Sequence, residues 1–172
     1  PQAAIAELNK IDKELPGKYY VKFYLGSCHI ALGDPKTALA YLEAALNLDP
    51  NEQDVPSICS YMGVALKDLG EYQQALSILK KGEELDQERT DIYNLMGFCH
   101  FMLKEHEAAI KNFETVIQLD PSSAIDYANI ASNYRDMGQP AKAIRYYEMA
   151  LTLDDSIEFA RENLAILKNQ EA

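Results

Sequence analysis

Hydrophobic positions recur along this chain with the spacing of one face of an α-helix. Between residues 90 and 123, a first amphipathic run carries Tyr93 and Gly97, and a second run carries Ala109 and Phe113. The apolar residues of each run lie three or four positions apart, which predicts two amphipathic helices. A small residue on each apolar face permits the close packing of two antiparallel helices, with axes about 8–10 Å apart. This stretch is therefore predicted to form a helical hairpin.

The same pattern returns at a period of about 34 residues, so the chain is built from repeats. Glycine or alanine stands at the position of Gly97 in every unit, and alanine stands at the position of Ala109; these residues are Gly26, Gly63 and Ala131, and Ala38, Ala75 and Ala143. A period of this length with small residues at these offsets resembles the tetratricopeptide repeat. The resemblance covers nearly the whole chain. It implies an all-α, right-handed superhelical solenoid of antiparallel helix pairs.

The repeat boundaries follow from aligning the units with one another. Residues 1–18 match the second helix of a repeat, so we expect a truncated repeat and a longer parent protein. The remaining segments are repeat one at 19–52, an insertion at 53–55, repeat two at 56–89, repeat three at 90–123, repeat four at 124–157 and a C-terminal capping helix at 158–172. The insertion is interpreted as a loop extension or an extra helical turn, and the alternative is a protrusion that contacts a partner.

The turn after each first helix has a recurring residue. Gly33, Gly70 and Gly138 stand at this position, and glycine is the residue that ends helices most easily in a left-handed conformation. In repeat three the position is occupied by Lys104. That turn is predicted to be less well specified by its own sequence.

Composition and charge restrict the classes of partner. Hydrophobic residues make up 48% of the chain, and no run approaches the roughly 18 apolar residues that a membrane helix needs. The formal net charge of −11 argues against nucleic-acid binding, which requires clustered Lys and Arg, and favours basic or apolar partners. Three cysteines, an odd number, weakly favour a reducing compartment such as the cytoplasm. The localisation itself depends on any signal or anchor upstream of residue 1.

The sequence contains cysteine and histidine residues that could bind a metal, but their positions do not predict a metal site. Cys28–His29 and Cys99–His100 recur in the same phase of alternate repeats, which is the pattern of side chains on buried helix faces. A whole helix pair lies between Cys28–His29 and Cys99–His100. The two dipeptides are therefore much too far apart to bind one metal ion. No nucleophile elbow, phosphate-binding glycine loop or HExxH motif occurs. We therefore predict no metal, no cofactor and no catalytic activity.

A second stripe of residues lies about 130° around each first helix from the packing stripe. The resemblance implies that this stripe lines a concave groove where extended or helical peptides bind. The predicted groove residues are Tyr20, Phe23, Tyr24, Ser27, Ile30, Tyr61, Val64, Asn94, Phe98, Phe101, Asn129 and Ser132. The alternative is that Phe23, Phe98 and Phe101 fill the gaps between successive first helices or cover one another.

The predicted function is a scaffold that binds a partner polypeptide in this groove through aromatic and apolar contacts. Part of the family binds C-terminal carboxylates with a clamp of Lys and Asn, but Phe23, Tyr61, Asp91 and Leu95 occupy the corresponding positions here. A carboxylate would be buried without a basic partner, which is costly. Two alternatives are a self-assembling structural scaffold, active as a homo-oligomer, and a regulatory or substrate-presenting arm of a larger enzyme.

Overall fold

The computed structural model describes residues 1–170, and these form ten α-helices. The helices are α1 (Gln2–Glu14), α2 (Tyr19–Ala31), α3 (Pro35–Leu46), α4 (Val55–Asp68), α5 (Tyr72–Leu85), α6 (Thr90–Met102), α7 (His106–Leu119), α8 (Ala124–Asp136), α9 (Pro140–Leu153) and α10 (Glu158–Gln170). A short 3₁₀ turn spans Glu52–Asp54. The prediction of an all-α chain of paired helices is confirmed. Among these helices, none has the length and apolar character needed to cross a membrane.

The chain divides into two compact units, with the boundary inside α6. Residues Pro1–Leu95 form the first unit, in which each helix from α1 to α5 packs on the next one. The second unit begins at Met96 and contains a continuous series of packed helices from α7 to α10. Short connections join consecutive helices, so neighbours run antiparallel as helical hairpins.

Glycine allows the two helices of a hairpin to approach closely. A Cβ atom placed on Gly26 of α2 would lie 2.6 Å from Leu42 Cγ of α3. One placed on Gly63 of α4 would lie 2.5 Å from Leu79 Cδ2 of α5. Real Cβ atoms do not approach other carbon atoms so closely, and the second-helix leucine therefore packs directly on the glycine backbone.

The turns after the first helices share one backbone conformation. Gly33, Gly70 and Gly138 have φ values of 72°, 77° and 68°, and Lys104 has a φ of 61°. Lys104 therefore adopts the left-handed conformation that favours glycine, in spite of its side chain. The turn in repeat three therefore has the same geometry as the others, although its sequence lacks the glycine.

The insertion before α4 is folded and attached to the start of α2. The 3₁₀ turn contains most of it, and α4 begins at its last residue, Val55. The Tyr19 hydroxyl donates a hydrogen bond of 2.6 Å to Asp54 Oδ2, and Asn51 Nδ2 donates one of 2.7 Å to the same hydroxyl. Donation to Asp54 raises the pKa of Tyr19.

Each unit has its own core of alternating large and small apolar residues. In the first unit the fully buried side chains include Val21, Leu25, Ala38, Leu42, Ile58, Cys59, Ala75, Leu79 and Ile92. In the second unit they include Ala109, Ile130, Ala131, Ala143, Tyr147, Ala150 and Ala160. The predicted capping helix corresponds to α10, which contributes Ala160 and Leu167 to this core; residues 171 and 172 lie outside the described residues.

Candidate functional site

The predicted groove residues of the first unit lie on three helices. Tyr20, Phe23, Tyr24, Ser27 and Ile30 are on α2, Tyr61 and Val64 are on α4, and Asn94 is in the first half of α6. Three tyrosines among them are exposed, and the other five residues are half-buried. The exposed surface of this unit's predicted groove is therefore mainly tyrosine.

Phe23 is the centre of an aromatic cluster in the first unit. Its ring centroid lies 5.4 Å from that of Tyr24 and 5.3 Å from that of Tyr61, the second contact being edge-to-face at 89°. Tyr20 lies on the same face of α2, three residues before Phe23 and four before Tyr24. Exposed fractions are 41% for Tyr20, 53% for Tyr24 and 37% for Tyr61. We call Tyr20, Phe23, Tyr24 and Tyr61 the aromatic cluster.

A polar network joins α4 to the start of α6 in the same unit. Arg89 binds Asp91 with two hydrogen bonds of 2.8 Å and donates a third, of 2.9 Å, to Ser57 Oγ. Ser60 Oγ donates to Asp91 Oδ2 at 2.6 Å. Burial raises the pKa of Asp91, but the hydrogen bonds from Arg89 and Ser60 outweigh it and leave this pKa below its usual value. Arg89 and Asp91 are the charged side chains of this network, and their opposite charges offset each other.

The second unit contains a cavity of about 250 Å³. Four phenylalanine rings and four polar residues surround it: Phe98, Phe101, Phe113 and Phe159, and Asn129, Ser132, Asn133 and Arg135. Phe98 and Phe159 are 38% and 36% exposed, whereas Phe113 is buried. We call this space the phenylalanine cavity.

The polar residues around the phenylalanine cavity are held by neighbouring groups. Buried Asn133 donates to the Asn129 carbonyl oxygen at 2.9 Å, and its Oδ1 lies 3.0 Å from His106 Nδ1. Arg135 donates to Asp136 at 2.7 Å and to Asn163 at 2.6 Å.

Two further polar groups border the same cavity. Ser132 Oγ lies 2.9 Å from the Tyr147 hydroxyl. Asn129 Nδ2 donates to Asp126 at 3.3 Å, while no residue in the described part of the chain pairs with Asn129 Oδ1. Asn129 therefore presents an amide oxygen that can accept a hydrogen bond from a ligand.

All four predicted groove residues of the second unit, Phe98, Phe101, Asn129 and Ser132, line the phenylalanine cavity. The prediction did not include Phe159, which stands one repeat period after Ile125 and two after Asp91, at the first position of the stripe. Extending the stripe into the capping helix would have found it. Whether these residues bind a partner stays a prediction.

The described residues contain no group of three or more His, Cys, Asp and Glu side chains arranged to hold a metal ion. Cys59 is buried, and burial raises the pKa of its thiol. The thiolate that a metal would require is therefore disfavoured.

The sequence of helix pairs and the small residues between them have direct counterparts among known proteins. The tetratricopeptide repeat family matches residues 19–52, 58–89 and 88–156. The chain belongs to the tetratricopeptide repeat family. Proteins of this family mediate protein–protein interactions, and their repeat arrays are typically non-catalytic.

The individual proteins that this chain resembles share limited sequence identity with it. Subunit CDC16 of the anaphase-promoting complex of Saccharomyces cerevisiae is 27% identical over an alignment of 174 positions, which covers 96% of this chain and 20% of the yeast protein. This chain spans 26% or less of the length of the curated relatives that it matches.

Two solved structures share the fold. The crystal structure of MamA matches with a TM-score of 0.82 and 24% identity, covering 88% of this chain and 86% of that one. The structure of YrrB, described as a tetratricopeptide repeat protein with an unusual peptide-binding site, matches with a TM-score of 0.82 and 20% identity, covering 94% of this chain and 81% of YrrB. At these identities the likeness shows the fold.

Proposed function

We propose that this chain is a scaffold that binds a partner polypeptide, and that an apolar side chain of the partner occupies the phenylalanine cavity. The observation that carries the proposal is the lining of this cavity by four phenylalanine rings, two of them exposed. Exposed aromatic rings around a concave site are the residues that most often dominate binding energy. A cavity of about 150 Å³ accommodates a benzene-sized group, so 250 Å³ suffices for an aromatic or branched aliphatic side chain.

The polar border of the cavity supports a peptide as the ligand. The Asn129 amide oxygen is available to a backbone N–H of the partner, whereas Asn133 and Arg135 are already engaged and fix the shape of the border. The net charge of −11 speeds encounter with a basic segment. For a short peptide we expect a dissociation constant of about 1 μM, or about −8 kcal/mol.

A library of random peptides displayed on phage tests this proposal. Peptides selected on the wild-type protein should share an aromatic or branched aliphatic residue, and Phe98→Ala should weaken their binding about tenfold or more. Ile166→Ala is the control, because Ile166 of α10 is also an exposed apolar residue of the same unit but does not line the cavity. Equal losses in the two variants, or none in either, would remove the cavity from the binding site.

A further inference from the structure

We propose that the aromatic cluster of the first unit binds the cationic side chain, arginine or lysine, of a basic segment in the partner. This inference rests on the proposed function, since it assigns the chemistry of a second contact made by the same partner. It is carried by residues of the first unit alone, and the phenylalanine cavity belongs to the second. The two sites are therefore tested by different substitutions.

The geometry of the cluster leaves ring surface open to a ligand. Phe23 is held between Tyr24 and Tyr61 by the two ring contacts, so these rings support one another. Each of the three tyrosines still exposes more than a third of its surface. The cluster is packed at its centre and accessible at its margins.

No lysine or arginine of the described chain lies over these three tyrosine rings, whereas two other tyrosines already have one. Lys22 Nζ lies 5.7 Å from the centroid of Tyr41, and Lys142 Nζ lies 4.8 Å from that of Tyr134. Lys22 shares α2 with the cluster but is drawn to Asp12, at 2.6 Å. The face of an aromatic ring carries negative charge density, so the open rings attract a cation supplied from outside.

The surrounding charges favour the same ligand. Arg89, the cation at the α6 end of this unit, is neutralised by its two hydrogen bonds to Asp91, and Lys67 of α4 lies 3.0 Å from Asp68. The predicted groove positions of α2 carry no charge. Arg89 interacts electrostatically with Tyr61, but its charge is offset by its pairing with Asp91. The chain as a whole has a net charge of −11 and repels an anionic segment. A basic segment satisfies both the rings and the overall charge.

The test measures the binding of charged and uncharged probe peptides to variants with the same net charge. Hexa-arginine, hexa-citrulline and hexa-proline, all with blocked ends, are titrated by calorimetry into the wild type, Tyr24→Leu/Tyr61→Leu and Tyr24→Phe/Tyr61→Phe. Citrulline keeps the shape of arginine without its charge. Leucine removes the ring and phenylalanine keeps it, while the net charge stays constant, so general attraction to the acidic protein is the same in all three proteins. Circular dichroism and the thermal midpoint verify that each variant is folded.

We expect hexa-arginine to bind the wild type and the phenylalanine variant within about twofold of each other, and the leucine variant about 5- to 30-fold more weakly. We expect hexa-citrulline to bind at least tenfold more weakly than hexa-arginine. Equal binding of hexa-arginine to the wild type and the leucine variant would overturn the inference, since attraction would then be unspecific. Binding of hexa-citrulline or hexa-proline as tight as that of hexa-arginine, and lost in the leucine variant, would replace the cation by an apolar ligand. That result leaves the proposed function intact, because Phe98→Ala tests it separately.

Discussion

Gly97 of α6 lies directly against the ring of Phe113 of α7. A Cβ atom on Gly97 would be 2.7 Å from Phe113 Cε1, 2.8 Å from Cζ and 2.9 Å from Cδ1. The ring is 2% exposed and belongs to a core cluster with Ala109 and Ile130, and it also borders the phenylalanine cavity. The absence of a side chain at one residue is therefore what allows the other to be a phenylalanine.

Gly97→Ala is expected to destabilise the protein by about 1–3 kcal/mol, because the new methyl group forces the buried Phe113 ring to shift. In a Phe113→Val background the sign should reverse. Valine lacks the three ring atoms that the new methyl group would meet, and alanine is intrinsically the better helix former by about 0.5–1 kcal/mol. Urea denaturation of the four proteins measures this coupling. Additive effects of the two substitutions would show that the helices separate freely at this point.

Lys104→Gly is expected to stabilise the protein by about 0.5–1 kcal/mol. Lys104 adopts a φ of 61°, and the cost of a left-handed conformation for a residue with a Cβ exceeds the entropy that glycine loses on folding. Lys104→Ala is the control, since it removes the charge but keeps the Cβ, and should change stability little. A comparable gain in the alanine variant would assign the effect to the charge of the side chain and not to the backbone.

Asp91→Asn is expected to make the stability of the protein depend less on pH in the acid range. The pKa of Asp91 is lowered in the folded protein, so its contribution is complete above the unfolded value of about 3.9 and disappears as the pH falls through the folded value. At neutral pH the substitution should cost about 1 kcal/mol, a modest value because the side chain is 46% exposed and solvent screens the pair. Below about pH 4 the difference from the wild type should shrink.

Urea denaturation between pH 3 and pH 7 measures this effect. Glu88→Gln is the matched control, because it removes an exposed carboxylate three residues away, outside the network with Arg89 and Ser60. A parallel pH dependence of Asp91→Asn and the wild type would mean that the network contributes nothing to stability.

Tyr19→Phe is expected to loosen the folded insertion before α4. The substitution removes the hydroxyl that donates to Asp54 and accepts from Asn51, and it leaves the ring in place. Amide hydrogens of residues 52–54 should exchange with solvent several-fold faster, while those of α5 remain unchanged. Unchanged exchange in the 3₁₀ turn would show that its own backbone is sufficient to hold it.

Much of the fold follows from the sequence because its determinants are local and periodic. The small residues at the positions of Gly97 and Ala109 recur in each repeat, so the period predicts which helices pair. The cavity is less predictable, since it requires residues from four helices, and Phe113 belongs both to it and to the core. The link from Arg89 to Ser57 joins residues 32 positions apart, and no sequence pattern predicts it.

Phe98→Ala and Phe101→Ala are expected to separate binding from stability. Phe101 is half-buried, packs against the cluster that contains Ile110 and Phe113, and has its ring 6.0 Å from that of His106. Its truncation should cost about 2–3 kcal/mol, which lowers the thermal midpoint by about 4–12 °C in a chain of this size. Phe98 is 38% exposed, so its truncation should cost less than about 1 kcal/mol.

Thermal denaturation and binding of the selected peptides are measured on the same two variants. If Phe98 serves the ligand, Phe98→Ala loses affinity and keeps its midpoint within about 4 °C of the wild type. A midpoint that falls as far for Phe98→Ala as for Phe101→Ala would assign both rings to the core. The phenylalanine cavity would then be a packing defect between helices, and the aromatic cluster on α2 and α4 would be the remaining candidate for partner binding.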